Sequence, residues 1–386
     1  MPRSRRRTVR EADLQGFKYF RLLPPLLERL HQVGTARDKA HNRQLFFDYY
    51  AALVLLYFFN PIITSLRALQ QASGLNKVQK LLGVDRQSLG SLSEATGVFD
   101  AEALRHIVQE LAQQTLPLEK GHQAEALRGL TAVDGSVLPA LPKMLWALWQ
   151  DADHRAAKLH LHFDVLKGVP CDAQITPAAC SETAQLMAML QPDRFYVMDR
   201  GYASHELIQA IIRIGASFVV RVKDNTAFGL VQEFVLSEEA RAAGVIRDVA
   251  LLRLGTLYRP GSLRQRLRLV VVRYTKPNGT TEDIWLITNR FDLAAELIAL
   301  VYRYRWTVEL FFRWFKCILG CRHLLSQDAN GVAIQCYVAL VASLLVVLWT
   351  GRKPSKRTWE MLQFYLIGWA SLDELEHHLA NAPASA

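Results

Sequence analysis

Residues 301–320 read Val-Tyr-Arg-Tyr-Arg-Trp-Thr-Val-Glu-Leu-Phe-Phe-Arg-Trp-Phe-Lys-Cys-Ile-Leu-Gly. The stretch has no proline, its only glycine is last, and Leu, Arg, Lys and Phe recur, so it is predicted to be one helix. At about 100° per residue, Tyr302, Arg305, Glu309 and Lys316 share one narrow sector. The other directions hold mainly Leu310, Phe311, Trp314, Phe315, Ile318 and Leu319. A helix apolar over most of its circumference belongs in a core, so its polar stripe should face a cleft. One reading of the stripe is an i,i+4 ion pair of Arg305 with Glu309 on a solvated face. The other is a site, with one carboxylate for a metal and two cations and a phenol for phosphate oxygens.

The second reading needs further carboxylates, and strand-like segments upstream supply two. The run 127–138 carries Asp134 after an apolar stretch and before Gly135-Ser136, where Asp-Gly alone reads as a turn. The run 194–202 is Arg-Phe-Tyr-Val-Met-Asp-Arg-Gly-Tyr, a short strand ending on Asp199, which could equally be a cap. Ser204 is placed to start a helix, and 217–222 reads as the next strand, giving a strand–helix–strand unit that carries Asp199 into a cleft. Between the two aspartates, residues 157–165 alternate strictly, with Lys158, His160, His162 and Asp164 on one face, as in a half-buried strand. The His-x-His pair could ligate zinc, but no third ligand is recognisable, and a polar strand face is the better account.

The spacing Tyr302-x2-Arg305-x3-Glu309-x6-Lys316 resembles the Tyr-Arg-Glu-Lys signature of the insertion-sequence-four family of DDE transposases. A chance match at this spacing is roughly 1 in 10⁵ per start point. The runs around Asp199 and from Phe218 to Lys223 also resemble that family's second-aspartate region. The resemblance spans residues 129–340 well, the first hundred residues loosely and the tail weakly. It implies an α/β fold: a ribonuclease-H-like catalytic core with a β-rich insertion and an N-terminal helical domain. The expected division is 1–120 for DNA-end binding, 121–223 for the first part of the core and 224–283 for the insertion. Residues 284–350 complete the core with the Glu helix, and 351–386 form a helical tail. Asp134, Asp199 and Glu309 are expected to be catalytic and to bind metal, Mg²⁺ with Mn²⁺ able to substitute. Tyr302, Arg305, Lys316, Trp306, Arg200, Arg221 and Lys223 are expected to bind DNA. The expected partners are double-stranded DNA at element ends and target DNA, with a homodimer in the DNA complex. Cleavage and strand transfer through a hairpin would follow.

Composition agrees with a polyanionic partner. The 386 residues hold 46 Lys plus Arg against 36 Asp plus Glu, a formal net charge of +10. Five cysteines imply no disulfide framework and suit a reducing cytoplasm. Cys317-x3-Cys321 is read as packing. No cleavable signal peptide is visible. The apolar runs 51–59 and 336–349 fall short of a clean span of about 20 residues, so buried helices are expected and no membrane association.

Arg3, Arg5, Arg6, Arg7 and Arg10 form a basic arm, either a solubilising tail or a sequence-independent grip on the DNA backbone. Residues 14–120 read as helices, with Arg67, Lys77, Lys80 and Arg86 as candidate DNA contacts. Ser88, Ser91 and Ser93 could touch phosphate or simply cap helices. Arg264, Arg266 and Arg268 in the β-rich segment are expected to face DNA. Asp292 is expected to cap the signature helix, and 358–379 to form one last helix. A metal-dependent nuclease of the same fold, lacking strand transfer, would share the acidic trio. A helical DNA-binding regulator would not need it.

Overall fold

A computed structural model describes residues 23–35, 42–118, 121–139, 143–147, 155–255, 263–276, 278–317, 324–353 and 355–381. The N-terminal arginines 3–10, the apolar Ile318 and Leu319, and Cys321 lie outside the described residues. The chain begins with α1 (Leu23–Glu28), α2 (Phe47–Phe59), α3 (Leu66–Ser73), α4 (Asn76–Leu82), α5 (Leu89–Val98), α6 (Ala101–Gln114) and the short α7 (His122–Ala126). Alternating strands and helices follow: β1 (Leu130–Pro139), β2 (Ala156–Asp164), β3 (Val169–Pro177), α8 (Glu182–Ala188), β4 (Phe195–Met198), α9 (His205–Arg213) and β5 (Ser217–Val222). Then come β6 (Phe228–Glu233), α10 (Glu238–Ala242), β7 (Val245–Leu254), β8 (Leu267–Thr275), β9 (Thr281–Thr288), α11 (Ala295–Tyr304), α12 (Trp306–Cys317), α13 (Ala329–Thr350), α14 (Lys356–Leu366) and α15 (Leu372–Asn381).

The described strands form one nine-stranded sheet ordered β3-β2-β1-β4-β5-β9-β8-β7-β6. β1, β2 and β3 are antiparallel neighbours, whereas β1, β4 and β5 run parallel. The Val- and Phe-rich runs of β4 and β5 are buried on both faces, as parallel strands under helices require. From β5 the sheet continues through β9 into an antiparallel meander. The segment 224–283 is β-rich, and its strands extend the main sheet without forming a body of their own.

Two apolar clusters line the two faces. One gathers Leu130, Ala132, Val197 and Val219 with α2, α6, α12 and α13. The other gathers Val133, Tyr196, Met198 and Val220 with Leu186 of α8 and Leu207, Ile208 and Ile211 of α9. α13 is 22 residues long and apolar enough to cross a membrane by length and composition, but 89% of its most apolar window is buried in the fold, against β3, α6 and α2. A core helix passes the same test. Arg105 of α6 reaches Asp172 of β3 with two hydrogen bonds, 2.7 and 3.0 Å, tying the N-terminal helices to the sheet.

Several local expectations are corrected. The signature helix is two segments with a joint at Arg305. There Arg305 N–H donates to the Tyr302 carbonyl and Val308 N–H to that of Arg305, the tighter i,i+3 winding of a 3₁₀ turn. Asp292 does not cap it, because both its carboxylate oxygens accept from Arg290 at 2.7 Å; the N-cap position is Ala294. The Asp134-Gly135 pair is no turn, since β1 runs through it to Pro139, paired to β2. β2 is buried on both faces, because α8 covers the face bearing His160 and His162. The stretch 358–379 is split by Gly368, which sits at φ +85° between α14 and α15. Cys317 is exposed, not packed.

Candidate active site

Backbone register sets the centre of the site. β1 and β4 pair at Leu130 with Phe195, Thr131 with Tyr196 and Ala132 with Val197. The same register carried two residues further places Asp134 opposite Asp199. Side-chain alternation puts both on the face of Ala132 and Val197, the face against which α12 packs. Asp134 Oδ1 accepts the Gly135 N–H at 2.8 Å, and Asp199 Oδ1 accepts the Gly201 N–H at 2.7 Å. Asp199 therefore does cap the 3₁₀ turn Arg200–Tyr202.

Burial pushes the Asp134 carboxyl up to about 6. The Gly135 N–H and the Arg305 charge pull against that rise, while the charges of Asp199 and Glu182 add to it. This is a half-buried acid with negative neighbours and one cation nearby. That cation, Arg305, sits at the helix joint and bonds Glu309 through Nη1 to Oε1 at 2.6 Å. Burial works against the Arg305 charge, but Glu309, with Tyr302 and Asp134 farther off, outweighs it and raises the pKa. Arg305 Nε is buried and makes no hydrogen bond among the described residues.

The i,i+4 pair foreseen for the stripe is therefore present, with Glu309 bonded to Arg305. Among the described residues no three His, Cys, Asp or Glu side chains stand close enough together to hold a metal ion. The structure brings Asp134, Asp199 and Arg305 together and leaves Glu309 on Arg305. The donor chemistry at the aspartate pair fits a hard divalent cation: two neighbouring carboxylates whose mutual repulsion and burial favour a cation between them.

The other expected site residues surround this centre. The Arg221 guanidinium bonds both the Tyr302 hydroxyl and Glu282. Arg200, Arg221 and Lys223 line one groove with Arg273, Glu282 and Asp283. Trp306 is 59% exposed, and the Arg305 guanidinium lies 5.4 Å from its ring centre. Lys316 is half-buried in the last turn of α12. Arg67, Lys77, Lys80 and Arg86 are exposed on the helical part, whereas Ser88 caps α5 by accepting the Ser91 N–H.

Arg268 cannot serve as a DNA contact. It is buried, bidentate to Asp248 at 2.7 and 2.8 Å, and donates to the carbonyls of Arg290 and Leu293. Its alternation with leucines marks a strand, and the side taken as outward is covered. Sequence reasoning also missed Glu182. Its one signal was a Ser181 N-cap followed by a glutamate, which reads as an ordinary helix start.

Residues 125–345, more than half of the chain, match the model of the transposase DDE domain. The chain is 28% identical over 222 residues to a probable transposase for insertion sequence element IS5377 of Geobacillus stearothermophilus, covering 58% of this chain and 56% of that protein. It is 27% identical over 231 residues to the putative transposase y4zB of Sinorhizobium fredii, covering 59% and 63%. It is 20% identical over 271 residues to a putative transposase for insertion sequence element IS4SA of Synechocystis sp., covering 67% and 71%. The chain thus spans less than two thirds of the first two relatives. A solved piggyBac transposase synaptic complex with hairpin DNA aligns over 100% of this chain and 88% of its own, at 12% identity and a TM-score of 0.44. On the match across residues 125–345, the chain belongs to the family of proteins with a transposase DDE domain.

Proposed function

We propose that this chain is a DNA transposase of the insertion-sequence-four group, which cuts the ends of its element and joins them to target DNA by metal-dependent phosphoryl transfer. The observation that carries this reading is the aspartate pair just beyond the β1–β4 ladder, beside an arginine whose buried Nε–H has no acceptor among the described residues. The strand order β3-β2-β1-β4-β5, antiparallel then parallel, supports a ribonuclease-H-like core. Residues 1–120 would bind the DNA ends, and 224–283 would form the wall of the groove lined by Arg221 and Arg273.

Asp134 and Asp199 would hold the divalent cation, Mg²⁺ or Mn²⁺, and Glu309 would complete the set. Bound there, divalent cations would activate an attacking oxygen and stabilise the leaving one. The protein residues do the positioning. A phosphate oxygen accepts from Arg305 Nε–H, satisfying a donor that is costly to leave buried and unpaired. Drawn to the phosphate, the guanidinium releases Glu309 toward the aspartates. Tyr302, held by Arg221, donates to another phosphate oxygen, and Lys316 adds a second cation on the same helix. Trp306 offers a stacking face to an unpaired base. Arg200, Arg221 and Lys223 grip the backbone without reading sequence. The hairpin intermediate, a homodimer in the DNA complex and a cytoplasmic setting follow from the insertion-sequence-four resemblance.

The test uses the full chain, Mg²⁺ and a plasmid carrying its coding sequence with native flanking DNA. Asp134→Ala, Asp199→Ala and Glu309→Ala should each abolish cleavage and strand transfer while DNA binding persists. Cleavage retained in any one removes that residue from the site. A nuclease would cut without joining ends, and a regulator would be indifferent to Glu309→Gln.

A further inference from the structure

β1 and β4 are joined by a backbone ladder only as far as Ala132 and Val197. The two aspartates lie beyond it, so the ladder alone does not set their separation. A polar bridge on the opposite face of the sheet spans that gap. Glu182 Oε1 lies 2.9 Å from Lys158 Nζ on β2, the strand paired to β1. The same carboxylate rests against Gly135, next in sequence to Asp134. A methyl group on Gly135 would come within 2.8 Å of Oε1, so the close approach depends on glycine. On its other side Glu182 takes a hydrogen bond from the Tyr202 hydroxyl. Tyr202 is 2% exposed and ends the turn that Asp199 caps. Lys158 is itself largely buried, with its side chain 13% exposed, so the bridge is shielded from solvent on that side. One carboxylate thus joins the strand pair bearing Asp134 to the turn bearing Asp199.

We propose that Glu182 is a positioning residue that sets the separation of Asp134 and Asp199 for cation binding, through Lys158 and Gly135 on one side and Tyr202 on the other. This rests on the metal-dependent reading above and adds a fourth carboxylate that acts from behind the sheet, without contact with DNA.

The experiment measures Mn²⁺ binding to the full, DNA-free chain by electron paramagnetic resonance, alongside thermal melting. Residues that orient metal ligands typically account for 10–100-fold in affinity. Glu182→Ala should weaken Mn²⁺ binding by about 10-fold, with a melting temperature within a few degrees of the parent chain. Tyr202→Phe, which removes one oxygen, should weaken it in the same direction. The double variant should be no weaker than Glu182→Ala alone, because both act through one bridge. Glu182→Gln keeps an acceptor for Tyr202 and should recover most of the affinity; if it binds as poorly as Glu182→Ala, bridging is overturned. Unchanged affinity in Glu182→Ala or Tyr202→Phe, with binding lost in Asp134→Ala, overturns the positioning role and spares the aspartates. A parent chain that binds no Mn²⁺ overturns both readings.

Discussion

Two arginines in this molecule, one buried and one half-buried, keep different company. Arg268 meets Asp248 with two short bonds and gives a third nitrogen to two carbonyls. Arg305 bonds Glu309, keeps a buried Nε–H with no acceptor among the described residues, and sits near an aspartate whose carboxyl is pushed up to about 6. In the first region the two charges meet and all three guanidinium nitrogens donate within the fold. In the second, donors and acceptors face each other without closing. Buried polar groups are nearly always paired, so an unclosed set at the meeting of β1, β4 and α12 points to partners from outside the chain. The difference separates charges that hold the structure from charges that wait for a ligand.

The sharpest break of this comparison removes one half of the closed pair. Asp248→Ala should destabilise the protein by about 3–5 kcal/mol, since it strands a buried guanidinium. Denaturant titration checks this, and a loss below 1 kcal/mol would make Arg268 no more committed than Arg305.

The open site should respond with the opposite sign. Folding raises the Asp134 carboxyl from its ordinary 3.8 to about 6. A raised carboxyl contributes its full stability below pH 3.8 and loses it as pH climbs through 6. Above pH 7 the ion-free protein therefore carries a penalty on the order of 1–3 kcal/mol. Asp134→Asn should be more stable than the parent chain by that amount at pH 7.5, and the two should converge near pH 4. Millimolar Mn²⁺ should shrink the gap by stabilising only the parent chain. Equal stability across this range would place Asp134 among the satisfied groups.

The sequence carried much of this contrast, and the failures are physical. The two aspartate strands and the Glu-bearing helix were legible because burial writes itself as apolar runs of β-branched and aromatic residues. The Tyr302, Arg305, Glu309 and Lys316 spacing was legible because helical periodicity is regular. The joint at Arg305 was not, since one i,i+3 bond leaves no mark on composition. Arg268 misled because alternation tells which residues share a face and not what covers it. Only the return of β7 beside β8 buries that guanidinium on Asp248. The Lys158–Glu182–Tyr202 bridge joins three segments distant in sequence, so no local pattern could report it. Glu309 was expected beside the aspartates, and it bonds Arg305 at 2.6 Å, the i,i+4 pair that the stripe's spacing also allowed.

The smallest effect separates two tryptophans. Trp359 is 1% exposed and meets the Trp314 ring edge-on at 5.7 Å, so its surface is already used by the fold. Trp306 is 59% exposed beside the polar stripe, with the Arg305 guanidinium over its ring. Truncating an exposed ring leaves no cavity, so Trp306→Ala should change stability by less than about 0.5 kcal/mol. Its cost should fall on DNA instead. Stacking an unpaired base on an aromatic ring contributes about 1 kcal/mol at the low end of its range, a factor of about five in affinity. Binding to a duplex with one unpaired terminal base should weaken by that factor, and binding to a blunt duplex should not, as fluorescence anisotropy on the two DNAs would read. Equal losses on both would make Trp306 a general contact with the backbone, and a loss of stability would return it to the core with Trp359.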